Sequence, residues 1–281
     1  VAMTAGVEND ALGELVAGVT LWALVAYVGG CREHPRSIGL LLGTALLTKT
    51  TIYAVLGVAG VAVILRRQRE RRTWHWAGGQ LAYMLVPAVL LSAPWFVRNG
   101  LVYGWHDLTG VARHNAVVAG QPRSSEWLVA YGWGGLLSRM IRTTFQSFWG
   151  QFGWMAVPLP TRFYRVLALF SVVLAGGFLG WSFDRRRPRL SPAQRASLIV
   201  CLALFLLIGL EFLAYNLIFV QHQGRYLYPA LIPMGIAVAL GLNWLAGFLP
   251  RRARPWAVSI PFVGLAVLDA VSYTHLTLPT N

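Results

Sequence analysis

The sequence predicts an all-α, polytopic transmembrane helical bundle, and three observations carry that prediction. Of its 281 residues, 56% are hydrophobic and only 12% charged, about half the ~25% that soluble domains carry. The apolar residues come in blocks that are apolar all round rather than striped, so lipid is their natural solvent. Short arginine clusters punctuate the blocks. The net charge of +14 therefore reads as cytoplasmic anchoring of helices. A nucleic-acid surface would need a basic stripe on a soluble fold, so no nucleic-acid partner is expected.

The apolar segments fall at 11–29, 38–48, 51–65, 74–97, 163–182, 196–220, 226–248 and 255–270. Between them lie Arg32 with Arg36, Arg66 to Arg72, Arg185 to Arg195, and Arg251 to Arg254. Placing all four clusters inside makes the spans alternate, with one local problem. Residues 37–65 join two inside clusters and must cross an even number of times. The segment therefore breaks at Thr48-Lys49-Thr50-Thr51. Its first arm would be only ~16 Å long at 1.5 Å per residue, short of a ~30 Å core. A re-entrant or short-span hairpin is predicted there.

Residues 98–162 then form a long outer loop. Within it Leu136, Leu137, Met140, Ile141, Phe145, Phe148 and Trp149 recur with helical period. Ser138, Arg139, Arg142, Thr143 and Gln146 lie between them, which gives an amphipathic helix lying in the membrane interface. Trp127, Tyr131, Trp133 and Trp154 add an aromatic belt. One transmembrane domain is expected over 1–270. The segment 271–281 breaks the pattern and reads as a non-native or disordered tail. The start at Val1, without an initiator Met, reads as an N-terminal truncation. Cys31 and Cys201 lack metal-ligand spacing and are expected to stay unpaired.

The polar residues that could carry chemistry gather at the outer level. Asp10 and Glu14 are four apart and share a helix face. The helix dipole explains a carboxylate at position 10, but Glu14 lies a turn deeper, where charge is costly. Lys49, the sole lysine, sits at the tip of the short hairpin. It can snorkel to the interface or hold a phosphate as a point charge. Arg98 closes one span. Arg225 and Tyr226 open another, just after Gln223. A cation at a helix start opposes the dipole, whereas an anionic ligand would call for it. Lys49, Arg98 and Arg225 could surround a phosphate headgroup, or simply meet lipid headgroups. Glu211, in mid-span, is either functional or a hydrogen-bonded helix contact. No set of histidines has ligand spacing on one face, so no metal ligands are assigned.

Four stretches resemble a known family. They are Glu8-Asn-Asp10-Ala-Leu12, Gly39-Leu-Leu-Leu-Gly43-Thr-Ala-Leu-Leu-Thr48-Lys49, Pro94-Trp-Phe-Val-Arg98-Asn99 with Tyr103-Gly104, and Gln223-Gly-Arg225-Tyr226-Leu-Tyr-Pro229. Ser147-Phe-Trp-Gly-Gln-Phe-Gly-Trp154 is also similar. In order and sidedness they resemble the GT-C superfamily of membrane glycosyltransferases, in the branch of protein O-mannosyltransferases and lipid A aminoarabinose transferases. The resemblance implies transfer of a sugar from a polyprenyl-phosphate carrier to a glycan, lipid or protein acceptor. The reaction would take place on the non-cytoplasmic face of a bacterial inner membrane, among membrane lipids. It implies inversion at the anomeric carbon, with a carboxylate as general base. Asp10 matches the family's second acidic position, with Glu8 beside it as a further catalytic candidate. Lys49, Arg98, Arg225 and Tyr226 would face the carrier phosphate. The main catalytic acid would precede Val1, so residues 1–281 alone are expected to be inactive. No cofactor is assigned, and a divalent metal is left open. The rival readings are a transporter or flippase of lipid-linked glycans, which usually shows internal repeats not seen here, and a non-catalytic scaffold of envelope synthesis.

Overall fold

A computed structural model describes residues 10–31, 34–152, 155, 157–186 and 189–277. Its helices are α1 (Asp10–Gly29), α2 (Pro35–Thr48), α3 (Ala54–Glu70), α4 (Trp74–Tyr103), α5 (Val111–Val117), α6 (Ser124–Trp149), α7 (Thr161–Phe183), α8 (Pro192–Asn216), α9 (Leu231–Ala246) and α10 (Arg254–Thr277). Short 3-10 turns at Thr50–Ile52 and Gly224–Ala230 lead into α3 and α9. Among the described residues, six stretches are long and apolar enough to cross a membrane: Asp10–Gly29, Thr50–Glu70, Trp74–Tyr103, Thr161–Phe183, Pro192–Asn216 and Gly224–Ala246. Large apolar side chains such as Leu90, Leu101, Val166 and Leu169 stay exposed along them, as lipid-facing positions should. The expected all-α, polytopic architecture is the one observed.

The described residues divide into two compact units, one of 10–143 with 190–232 and the other of 144–189 with 233–277. In the first, α1 packs on α2, α3 and α8, and its Ala17, Leu21, Leu24, Tyr27 and Val28 are buried. The hydroxyl of buried Thr20 donates to the Val16 carbonyl at 2.7 Å, which satisfies that donor within the apolar core.

The break between α2 and α3 falls in the expected stretch, at Lys49. Helix α2 has 14 residues, ~21 Å of helix, and touches α3 only lightly. It lies along α4 instead. A Cβ on Gly39 would come within 2.3 Å of the Met84 carbonyl oxygen, and one on Gly43 within 3.0 Å of that of Ala88. Small residues four apart let two backbones touch in this way. Because Gly39 meets Met84 and Gly43 meets Ala88, the two helices run in the same direction. The short hairpin is thus held by α4 rather than by its own arms.

The two ends of this unit differ in chemistry. At one, the Tyr27 hydroxyl donates to Gln80 at 3.0 Å, and the guanidinium of Arg66 lies 4.3 Å from the Tyr27 ring centre. At the other, Asp10, Lys49 and Arg225 meet. Asp10 and Tyr27 lie at opposite ends of α1, ~26 Å apart along its axis, close to the ~30 Å of a bilayer core.

Helix α6 begins earlier than the sequence pattern suggests, at Ser124, and is interrupted at Gly132 (φ 65°), a conformation that favours glycine. Trp133, Leu137 and Ile141 are exposed rather than buried among other helices, as an interfacial helix requires. In the second unit, Gly177 of α7 lies against Gly241 of α9, and the Trp244 indole donates to Asp184 at 2.9 Å. Helix α10 continues to Thr277, so the backbone of 271–277 is helical where a disordered tail is expected. Residues 278–281, like Glu8, Arg32 and Trp154, lie outside the described residues. Cys31 and Cys201 are free thiols.

Candidate functional site

Three distant stretches of the first unit converge on one concavity. It is lined by Asp10, Gly13 and Glu14 of α1, by Lys49, Thr51 and Ile52 of the break, and by Arg225, Tyr226 and Pro229 of the second 3-10 turn. Each side chain arrives there for a local reason. Asp10 is in the first turn of α1, where the dipole favours a carboxylate, and Glu14 follows one turn down the same face. Lys49 caps α2 with extended backbone (φ −162°, ψ 138°), so its side chain leaves the helical path. It also meets the negative end of the α2 dipole. Arg225 lies near the start of the Gly224–Ala230 turn, where Pro229 has no N–H to donate.

The charges interlock. One oxygen of Asp10, Oδ1, is paired with the Lys49 ammonium. The other, Oδ2, faces Arg225 Nη1 at 3.8 Å, longer than the ~2.7–2.9 Å of a tight charge-assisted bond. The Lys49 ammonium also lies 5.9 Å from the Tyr226 ring centre. The three charged side chains are 16–21% exposed, so they are neither sealed nor fully hydrated. Part of the reason for a cation at the start of the 3-10 turn is therefore internal: Asp10 answers it.

The connection that carries Arg225 is clamped from both sides. Buried Asn216 donates to the carbonyls of Phe212 (2.9 Å) and Gln221 (3.2 Å) and accepts from the Gln221 N–H. From the start of α6, Ser124 donates its hydroxyl to the Asn216 carbonyl at 2.7 Å, and Val220 N–H donates to Pro122 at 2.9 Å. Arg123 stacks 4.9 Å from the centre of the fully buried Phe219 ring. Next along, buried His222 meets the edge of Trp127, and desolvation pulls its imidazole below the ordinary range. Gln223 donates to the Gln221 side chain at 2.9 Å and does not line the concavity. The clamp left no signal in the sequence, because Ser124 and Asn216 lie far apart in the chain and are individually ordinary.

Arg98 is not brought to the concavity. Helix α4 runs to Tyr103 instead of stopping at 97, which keeps Arg98 on the helix surface. There it donates to Asn99 at 3.1 Å and lies 5.5 Å from the Trp95 and Tyr103 ring centres. Asn99 in turn donates to the Leu108 carbonyl at 2.8 Å. Asp107, missed by sequence reasoning, accepts the backbone N–H of Arg113 (2.7 Å) and Ala112 (3.1 Å). These bonds, Arg113 first, hold its carboxyl below the ordinary carboxylate range. Glu211, in mid-α8, faces the backbone N–H of Ala54 at the start of α3, while its Oε2 is buried with no hydrogen-bond partner. Among the described residues, no group of three His, Cys, Asp or Glu is placed to hold a metal ion.

The family described as predicted membrane protein (DUF2142) matches residues 3–234, a stretch that holds every residue of the concavity. No curated protein and no solved structure matches the chain.

Proposed function

The chain belongs to the DUF2142 family of predicted membrane proteins, and from that premise we propose that it is a membrane glycosyltransferase of GT-C type. Its donor is a sugar on a polyprenyl-phosphate carrier, and its site lies on the non-cytoplasmic face. One observation carries the reading. Asp10, Lys49, Arg225 and Tyr226 come from three stretches that resemble GT-C motifs, and they line a single concavity together with Glu14. That concavity lies at the helix ends opposite the arginine-rich ones, which the positive-inside rule assigns to the cytoplasm.

The chemistry follows from the charges. The acceptor hydroxyl attacks the anomeric carbon, and its proton passes to a carboxylate. The bond from that carbon to the phosphate oxygen breaks, and the electron pair leaves with the polyprenyl phosphate. Charge grows on that oxygen as the bond lengthens. Lys49 and Arg225 stabilise it most where it is greatest, which is the condition for acceleration. Lys49 does so as a point charge and Arg225 as a planar fork. The acceptor is a glycan, lipid or protein of the envelope.

The test is a transfer assay with the purified full-length protein in vesicles, supplied with polyprenyl-phosphate-linked sugars and read by mass spectrometry. Release of polyprenyl phosphate that falls at least about a hundredfold in Lys49→Ala/Arg225→Ala is the expected outcome. Transfer that persists in the double variant would remove Lys49 and Arg225 from the site, no transfer by the wild type would make the protein a scaffold, and donor that crosses the bilayer intact would make it a flippase.

A further inference from the structure

Resting on that reading, we propose that the Asp10 carboxylate is the resting occupant of the phosphate seat. The donor phosphate takes its place between Lys49 and Arg225, and the returning carboxylate expels the product.

The geometry carries this. Asp10 does not sit across the concavity from the two cations, where a proton acceptor for an inverting attack would stand. It sits between them, with Oδ1 on Lys49 and Oδ2 facing Arg225. A carboxylate with an oxygen toward each cation mimics two oxygens of a phosphate. Both cannot hold the seat at once, because two anions on one pair of cations repel. The 3.8 Å separation at Arg225 leaves that contact short of a bidentate clamp, so an incoming phosphate has closer geometry to gain.

The charge changes during turnover suit an exchange. A sugar phosphodiester carries one negative charge, the same as the carboxylate it displaces, so entry is close to balanced. When the sugar leaves, the carrier becomes a phosphomonoester with a charge of about −1.5 to −2. The cations then hold the product more firmly than the substrate. A carboxylate tethered to α1 through a single methylene, beside the seat, competes at high effective concentration and shortens the product's stay. Glu14, in the same concavity and one turn deeper, is left as the carboxylate that faces the acceptor side.

The experiment compares binding of a short prenyl phosphate monoester to wild type, Asp10→Asn, Asp10→Glu and Lys49→Ala/Arg225→Ala, each in detergent micelles and each checked for its melting temperature. Asp10→Asn should bind about tenfold tighter than wild type, equivalent to ~1.4 kcal/mol. Asp10→Glu should stay near wild type, and the double variant should bind at least tenfold more weakly. If wild type binds and Asp10→Asn binds no tighter, the exchange is wrong while the phosphate site survives. If wild type does not bind, or the double variant binds as well as wild type, both fall. Should Asp10→Asn fail to fold, the infrared difference spectrum of wild type on adding the monoester decides. A shifted carboxylate band supports the exchange, and an unchanged one overturns it.

Discussion

The two ends of the first unit use the same ingredients and build opposite things. At the arginine-rich end, Glu70 is approached by Arg66 at 2.8 Å, Arg72 at 3.3 Å and Arg69 at 3.6 Å. Arg67 stacks 3.7 Å from the Trp74 ring centre and Arg66 4.3 Å from that of Tyr27. Cations outnumber carboxylates there, and they lie along helix surfaces against aromatic faces. Such a layer fixes helix ends at a membrane boundary. At the other end one carboxylate is shared by two cations inside a concavity, with Glu14 beside it. A count of charges does not distinguish a convergent cluster from a surface layer. The difference is whether backbone breaks, here Lys49 and the Gly224–Ala230 turn, aim the cations at a common point.

This contrast can be broken by mutation, and the largest effect expected is on turnover. Removing Lys49 and Arg225 should abolish transfer, whereas Arg72→Ala, at a side chain 55% exposed, should leave it within about twofold, as surface pairs contribute little. Equal losses at both ends would mean that the cations matter only for insertion. A smaller effect should follow from Gly39→Leu. Its side chain meets the Met84 carbonyl, and overpacking of this kind costs ~1–3 kcal/mol. Helix α2 carries Lys49 at its end, so phosphate binding should weaken along with thermal stability. Unchanged stability would show that the α2–α4 contact can open freely. The smallest effect should be that of Glu70→Ala. Loss of partly exposed pairs should lower stability by ~1 kcal/mol or less, with transfer intact. A larger loss in denaturation would make the arginine-rich end a structural core rather than a surface layer.

Much of this was readable in the chain because membrane sequences must satisfy simple rules. Apolar blocks gave the helices to within a few residues at most ends, and charge parity located the break at Lys49 before any packing was known. Sidedness put Asp10, Lys49 and Arg225 at one level and suggested that Lys49 and Arg225 share an anion, and the family resemblance added Tyr226, although nothing in their spacing says that they meet. Arg98 was misplaced because an apolar block marks where lipid ends, not where the helix does. Hydrogen bonding carried α4 on to Tyr103, outside the core. The role of Asp107 and the clamp of Ser124 on Asn216 could not be read, because both are contacts of side chains with backbone that folding alone brings near. The Gly39–Gly43 contact with α4 is a packing fact that the same residues, read as a family motif, did not disclose.

The most direct test of the central claim is to map where a photoreactive polyprenyl-phosphate analogue attaches to the protein in vesicles. The phosphate-seat account predicts labelled peptides from the Lys49 break and the Gly224–Ala230 turn, with labelling lost when unmodified donor is added. Labelling confined to the arginine-rich end, or spread along the lipid-facing surfaces and indifferent to donor, would contradict it.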